Sequence, residues 1–169
     1  EIYGISLSTN IERKFYVCLD FACPFSRGGG DLLLSGGTGL GKTFLSACIA
    51  RVVSESGFSV VYDTAISIFA KLENDKFRPD EETAAEVRRC ESCDLLILDD
   101  LGTEMTTSFV QSALYQLVNG RMIAGRSTII STNLAPEELG QRYGAAILSR
   151  IEGGYEILPF FGEDIRRKR

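Results

Sequence analysis

Gly36-Gly37-Thr38-Gly39-Leu40-Gly41-Lys42-Thr43 decides how the rest of the chain is read. It follows a short apolar run, Leu32-Leu33-Leu34, and precedes a segment of good helix formers from Lys42 to Glu55. A buried strand, a glycine loop and a helix in that order leave the loop backbone free to turn inward. The spacing is G-x-x-x-x-G-K-[ST]. Glycines let several N–H groups converge without a Cβ in the way. The helix that follows offers the positive end of its dipole to the same point. Lys42 adds a cation suited to β- and γ-phosphates, and Thr43 a hydroxyl suited to Mg2+. The candidate nucleotide contacts are therefore Gly37, Thr38, Gly39, Leu40, Gly41, Lys42, Thr43 and Phe44. A glycine-rich turn with a surface lysine is the competing reading, and both pattern and context stand against it.

Outward from this loop, strands and helices alternate. Ser59 to Tyr62 reads as a strand, Ala65 to Leu72 as a helix, and Glu73 to Glu82 as a polar stretch leading into a charged helix that ends near Arg89. Leu95-Leu96-Ile97-Leu98 is a strand buried on both faces. Thr106 to Ala124 is a long helix with Phe109, Ala113, Leu114, Leu117 and Val118 on one stripe. Thr128 to Ile130 is a strand, residues 144–152 a helix and Tyr155 to Leu158 a last strand. The pattern predicts an α/β three-layer sandwich with a mainly parallel sheet between helices. Gly28-Gly29-Gly30 divides the chain into an N-terminal segment, 1–29, and a core, 30–169. Ile11, Phe15, Val17, Cys18, Leu19 and Ala22 predict a helix over 11–23 packed on that core.

Length and composition agree with one globular domain. The 169 residues are 44% apolar and 24% charged, which excludes a long disordered tail, and the net charge of −5 argues against a nucleic-acid-binding coat while leaving room for a local basic patch. No run approaches the ~18 apolar residues of a spanning helix. There is no histidine, which removes histidine triads and histidine metal sites. Five cysteines and no leader pattern predict a reduced, cytoplasmic chain. The chain starts at Glu1 and its only methionines are Met105 and Met122, so a piece of a longer protein is expected.

Three further positions carry chemistry. Asp99-Asp100 closes the strand at Leu98, on the side where open α/β sheets bind ligands. Asp99 suits Mg2+ and Asp100 suits polarisation of an attacking water. A plain strand-to-turn cap is the alternative, and the upstream loop weighs against it. Asn133, after Ser131-Thr132, fits either a bond between γ-phosphate and water or the cap of a helix starting near Pro136. Arg150 and Arg166 read either as solvated arginines or as charges for a γ-phosphate in its transition state.

Gly36 to Thr43 with Phe44-Leu45-Ser46, then Leu95 to Glu104, then Ser131-Thr132-Asn133-Leu134, resemble the AAA+ ATPase domain of bacterial replicative helicase loaders of the DnaC/DnaI type. The IstB-type transposition helper ATPases share these motifs. The likeness runs from about Asn10 to Arg166. It implies a P-loop NTPase fold, with ATP and Mg2+ as ligands. It further implies Asp99 as the magnesium residue, Asp100 as hydrolytic base and Asn133 as sensor 1. Arg150 would be an arginine finger acting on ATP held by a neighbouring subunit, hence a homo-oligomer, and Arg166 a sensor 2-like residue. Asn119-x-Arg121 resembles a patterned site that would make an interface contact. Only 36 residues follow Asn133, too few for a separate helical lid. The implied partner is a replicative DNA helicase, with single-stranded DNA as a second. A transposition helper or a nucleotide-gated adaptor with little turnover is the alternative. A small-molecule kinase ranks last, because no arginine-rich lid lies between Asp99 and Asn133.

The remaining motifs read as packing. Cys90-Glu91-Ser92-Cys93 would need Cys18 and Cys23 to complete a zinc site. Cys48 and the Phe160-Phe161 pair read as core, and Arg166 to Arg169 as a solvated end.

Overall fold

The computed structural model describes residues 30–162. The predicted helix over 11–23, Cys18, Cys23 and the basic tail lie outside these residues. The elements are β1 (Asp31–Gly36), α1 (Lys42–Glu55), β2 (Val60–Thr64), α2 (Ala65–Phe77), α3 (Glu81–Ser92), β3 (Leu95–Leu101), α4 (Ser108–Ile123), β4 (Ser127–Thr132), α5 (Pro136–Tyr143), α6 (Ala145–Gly154) and β5 (Tyr155–Phe160). The five strands form one sheet in the order β2-β3-β4-β1-β5. Every pairing in it is parallel.

Strand alternation sorts the core into two layers. Leu32, Leu34, Leu95, Ile97 and Ile129 meet Ile49 and Val53 of α1 on one face. Leu33, Leu96, Leu98 and Ile130 meet α2, α4, α5 and α6 on the other. Because both faces are covered, the central strands are continuously apolar instead of alternating. Helix starts follow local chemistry: Thr64, Asp80 and Thr107 each accept a hydrogen bond from a backbone N–H of the first turn.

Several boundaries differ from the sequence reading. Helix α2 runs on to Phe77 through the polar residues after Leu72, because Ala65, Ile68 and Phe69 anchor one face and the polar residues fall on the other. The second strand is displaced to Val60–Thr64. Cys48 is exposed on α1, not core, and Phe161 is exposed while Phe160 is buried.

The base of the sheet, opposite the glycine loop, holds a buried cation. Arg121 is 1% exposed, so its side chain offers no surface for the expected interface contact, while Asn119 of the same motif is half-buried. Its guanidinium donates to the carbonyls of Cys90 (2.8 Å), Cys93 (3.1 Å) and Ser127 (2.6 Å) and to Thr128 Oγ1 (3.1 Å). It thereby fastens the end of α3 to the starts of β3 and β4, using the carbonyls that a helix end leaves open. Cys90 and Cys93 are buried beside it. Arg121→Met is expected to lower unfolding free energy by about 3 kcal/mol or more, since several buried carbonyls lose their donor; urea unfolding measures it.

Asp31 lies in the same region. Burial pushes its carboxyl up to about 6, against the Thr128 N–H and the Arg121 charge, which favour the ionised form. A folded value above the unfolded one means the fold prefers the protonated acid. This contribution to stability is present at low pH and is lost as pH rises from about 4 to about 6. Asp31→Asn keeps an acceptor for the Thr128 N–H, which donates to Asp31 Oδ1 at 2.7 Å. The variant should gain stability relative to the parent across that interval and hold the gain above it. Equal pH dependence in the two proteins would contradict this assignment.

Candidate nucleotide-binding site

The loop after β1 forms where the backbone demands glycine. Gly36 has φ +144°, and a Cβ there would lie 2.2 Å from the Phe160 carbonyl oxygen, so no larger residue fits between β1 and β5. Gly39 and Gly41 have φ +70° and +91°. Gly41 is the N-cap of α1, where no side chain caps the helix and no acid lies in the first turn. The first N–H groups of α1 are thus left open to an anion.

A cleft of about 690 Å³ opens over this helix end. Thr38, Gly39, Leu40, Gly41, Lys42, Thr43 and Phe44 line it, with Asp100, Thr103 and Asn133. Lys42 is buried at its floor. Its ammonium donates to the carbonyls of Gly36 (2.5 Å) and Gly37 (2.7 Å) and to Asn133 Oδ1 (2.7 Å). Asn133 is therefore not the helix cap, since the N-cap of α5 is Ala135. Phe44 is 75% exposed at the cleft wall, an apolar surface without a partner among the described residues.

The acid pair reaches this cleft through an irregularity in the sheet. Leu98 pairs with Ile130, but the next pairing joins Leu101 to Thr132, so β3 holds one residue more than β4 across this interval. Asp100 takes φ +55°, a left-handed conformation that Asp tolerates better than most side chains. The bulge and the left-handed turn cancel the alternation that would otherwise send the two acids to opposite faces. Asp100 lines the cleft, and Asp99 sits behind Thr43, with Thr43 Oγ1 3.4 Å from Asp99 Oδ1.

Two side chains that the sequence did not single out hold Asp99. Tyr62 Oη donates to Asp99 Oδ2 at 2.7 Å, and Ser131 Oγ donates to Asp99 Oδ1. Ser131 Oγ also accepts the Asp100 N–H at 3.0 Å, so one hydroxyl ties both acids to β4. Burial, and then the Asp99 carboxylate, raise the Tyr62 phenol above its ordinary value, which keeps it a donor. Ser131→Ala should leave nucleotide affinity within about twofold and lower turnover by roughly tenfold, because it frees the turn at Asp100 without touching the loop. Paired binding and turnover assays check this.

The donor set fits a nucleoside triphosphate with Mg2+. An open helix end, a buried ammonium and converging glycine amides suit phosphate oxygens. Thr43 and Asp99 supply a hard oxygen pair. Both Asp99 oxygens already accept hydroxyl protons, so Asp99 would reach a metal through water.

The model of the IstB-like ATP binding protein family matches residues 6–169. The chain belongs to this family of ATP-binding proteins. This IstB-like domain is 27% identical over 140 residues to the replicative helicase loader DnaC of Escherichia coli, covering 82% of the chain and 57% of that relative. It is 31% identical over 147 residues to the chromosomal replication initiator protein DnaA of Zymomonas mobilis, covering 79% of the chain but 28% of the relative. The chain thus spans about half the length of the loader it matches, and less of the initiator. A crystal structure of the DnaC helicase loader superposes with a TM-score of 0.82 at 21% identity, covering 92% of each chain, which shows that the two share a fold.

Within the IstB-like domain the structure brings Lys42, Thr43, Asp99, Asp100 and Asn133 to one place, and Arg150 to another. Arg150 lies exposed on α6 and is not among the cleft-lining residues. Arg166 lies outside the described residues. Thr103, Tyr62 and Ser131 join the site only through the order β2-β3-β4, for which no local sequence signal exists. No helix of the described residues is long and apolar enough to cross a membrane.

Proposed function

We propose that this domain binds and hydrolyses Mg2+-ATP and serves as the nucleotide-driven module of a replicative helicase loader. The observation that carries the reading is the convergence of Lys42, Asp100 and Asn133 on a cleft above the uncapped N-terminus of α1. Loop amides from Gly37 to Thr43 hold the phosphates. Lys42 exchanges the Gly36 and Gly37 carbonyls and Asn133 for phosphate oxygens. Asn133, released from Lys42, orients the γ-phosphate and the attacking water. Asp100 accepts a proton from that water as its oxygen bonds to the γ-phosphorus and the bond to the β-bridging oxygen breaks. Thr43, and Asp99 through water, would hold Mg2+, which would supply neutralising charge to the triphosphate.

Arg150 is exposed on α6 and does not line its own cleft, which suits action on a neighbouring subunit's triphosphate in a homo-oligomer. Arg150→Ala should bind ATP and turn over roughly 10³-fold more slowly. Mixed with Asp100→Asn, it should regain part of the activity, because a complete site forms wherever the base of an Arg150→Ala subunit meets the arginine of an Asp100→Asn neighbour. A turnover per subunit that stays flat over a wide protein concentration range would count against the shared site.

The loader assignment draws on DnaC, and single-stranded DNA is a second partner by the same likeness. The matching family is named for IstB-like proteins, which favours a transposition helper as the second reading. Capture of partners from the native cell with the full-length protein decides between helicase and transposase.

A further inference from the structure

The loop that leaves the acid pair is strapped to the helix pair that carries Arg150, and one buried carboxylate makes the strap. Glu104 is 8% exposed. Its Oε2 accepts the Gly102 N–H at 3.1 Å, and its Oε1 accepts the Tyr143 hydroxyl. Gly102 is two residues after Asp100, and Thr103 Oγ1 donates back to the Asp100 carbonyl at 2.9 Å. The Asp100 turn and Glu104 therefore move as one piece. Tyr143 is the last residue of α5, and its neighbour Arg142 repeats the attachment. The Arg142 guanidinium donates to the Glu104 carbonyl and, at 2.6 Å, to Thr106 Oγ1, while Gln111 Nε2 of α4 donates to the Arg142 carbonyl at 2.8 Å.

From Tyr143 the chain turns at Gly144, with φ +100°, directly into α6. Helices α5 and α6 are in close contact: a Cβ on Gly140 would lie 2.7 Å from Leu148 Cδ2. Tyr143 and Arg150 are thus joined through two directly connected and closely packed helices. Burial raises the Tyr143 phenol, Glu104 adding to it, so Tyr143 keeps the proton it donates.

We propose that Glu104 is a positioning residue that couples the Asp99–Asp100 turn to the α5–α6 hairpin, so that nucleotide at one subunit's cleft sets the position of the arginine offered to the next. This rests on the nucleotide reading of the cleft. An acid at this position does what an apolar core residue would not: it binds the loop N–H with one oxygen and the helix-end hydroxyl with the other, so neither end shifts alone.

Hydrogen exchange followed by mass spectrometry tests it, on the full chain at a concentration where it is monomeric, with and without the ATP mimic AMPPCP and Mg2+. In the parent, the mimic should slow exchange over 36–43 and also over 145–154, the latter by about fivefold beyond any slowing of 108–123, which reports global stabilisation. Tyr143→Phe keeps the buried ring and removes the hydroxyl. It should keep the slowing at 36–43 and lose that at 145–154. Glu104→Leu should do the same, since no polar atom remains to join the Gly102 N–H to the Tyr143 hydroxyl; if it fails to fold, Tyr143→Phe carries the test. Slowing at 36–43 with none at 145–154 in the parent, or full retention in Tyr143→Phe, overturns the coupling alone. No slowing at 36–43 in the parent overturns the nucleotide reading and the coupling with it.

Discussion

Lys42→Ala is expected to weaken ATP binding by roughly a hundredfold or more, about 3 kcal/mol, since a charge-assisted contact to phosphate is lost from a buried site. Titration with a fluorescent ATP analogue reads the affinity directly. The structure adds a second consequence. Without nucleotide the ammonium braces Gly36, Gly37 and Asn133. The variant should therefore also be less stable than the parent without ATP, in addition to losing the stabilisation that ATP gives the parent through binding. An unaltered dissociation constant would remove the loop from the nucleotide site altogether.

Asp100→Asn should separate binding from chemistry. Affinity is expected to stay within about twofold, while turnover falls by roughly 10²–10⁴, the range of a lost general base. This substitution is unusually clean here. Asp100 sits at φ +55°, and asparagine accepts that conformation as readily as aspartate. The N–H bond to Ser131 and the carbonyl bond from Thr103 are main-chain interactions of residue 100 and survive the change. A β-branched replacement would confound lost chemistry with a forced turn. Normal hydrolysis by Asp100→Asn would transfer the base role to another group at the cleft.

The two variants probe opposite ends of one cleft, and their difference is informative. Lys42 acts on charge already present in the bound triphosphate, so its loss appears in binding. Asp100 acts on a proton that leaves only as the new bond forms, so its loss appears in the rate. A variant series in which both parameters moved together would point to a disturbed glycine loop, whose residues Thr38 to Thr43 line the cleft, whereas a disturbed turn at Asp100, as in Ser131→Ala, should move turnover alone.

Much of this was legible in the residues. The spacing from Gly36 to Thr43 reports the loop because its function is carried by backbone and depends on local conformation. Helix α1 begins and ends where composition placed it, at Lys42 and Glu55. The apolar run at Leu95 marked the central strand, because burial on both faces removes alternation. Asn133 was ambiguous between cap and sensor, and the bond from Lys42, 91 residues away in sequence, is non-local.

By itself the sequence determined the alternation of strands and helices, the glycine loop and the presence of two adjacent acids after a buried strand. These depend on periodicity and on neighbours a few residues apart. The tertiary structure alone decided that Asp100 lines the cleft while Asp99 lies behind Thr43, through a bulge set by pairing with β4. It also decided that Arg121 is an internal brace and not a contact surface, and that Glu104 joins the acid turn to the Arg150 helices. Each of these depends on which strand lies beside which, and on how two helices approach, and a linear pattern carries neither distance.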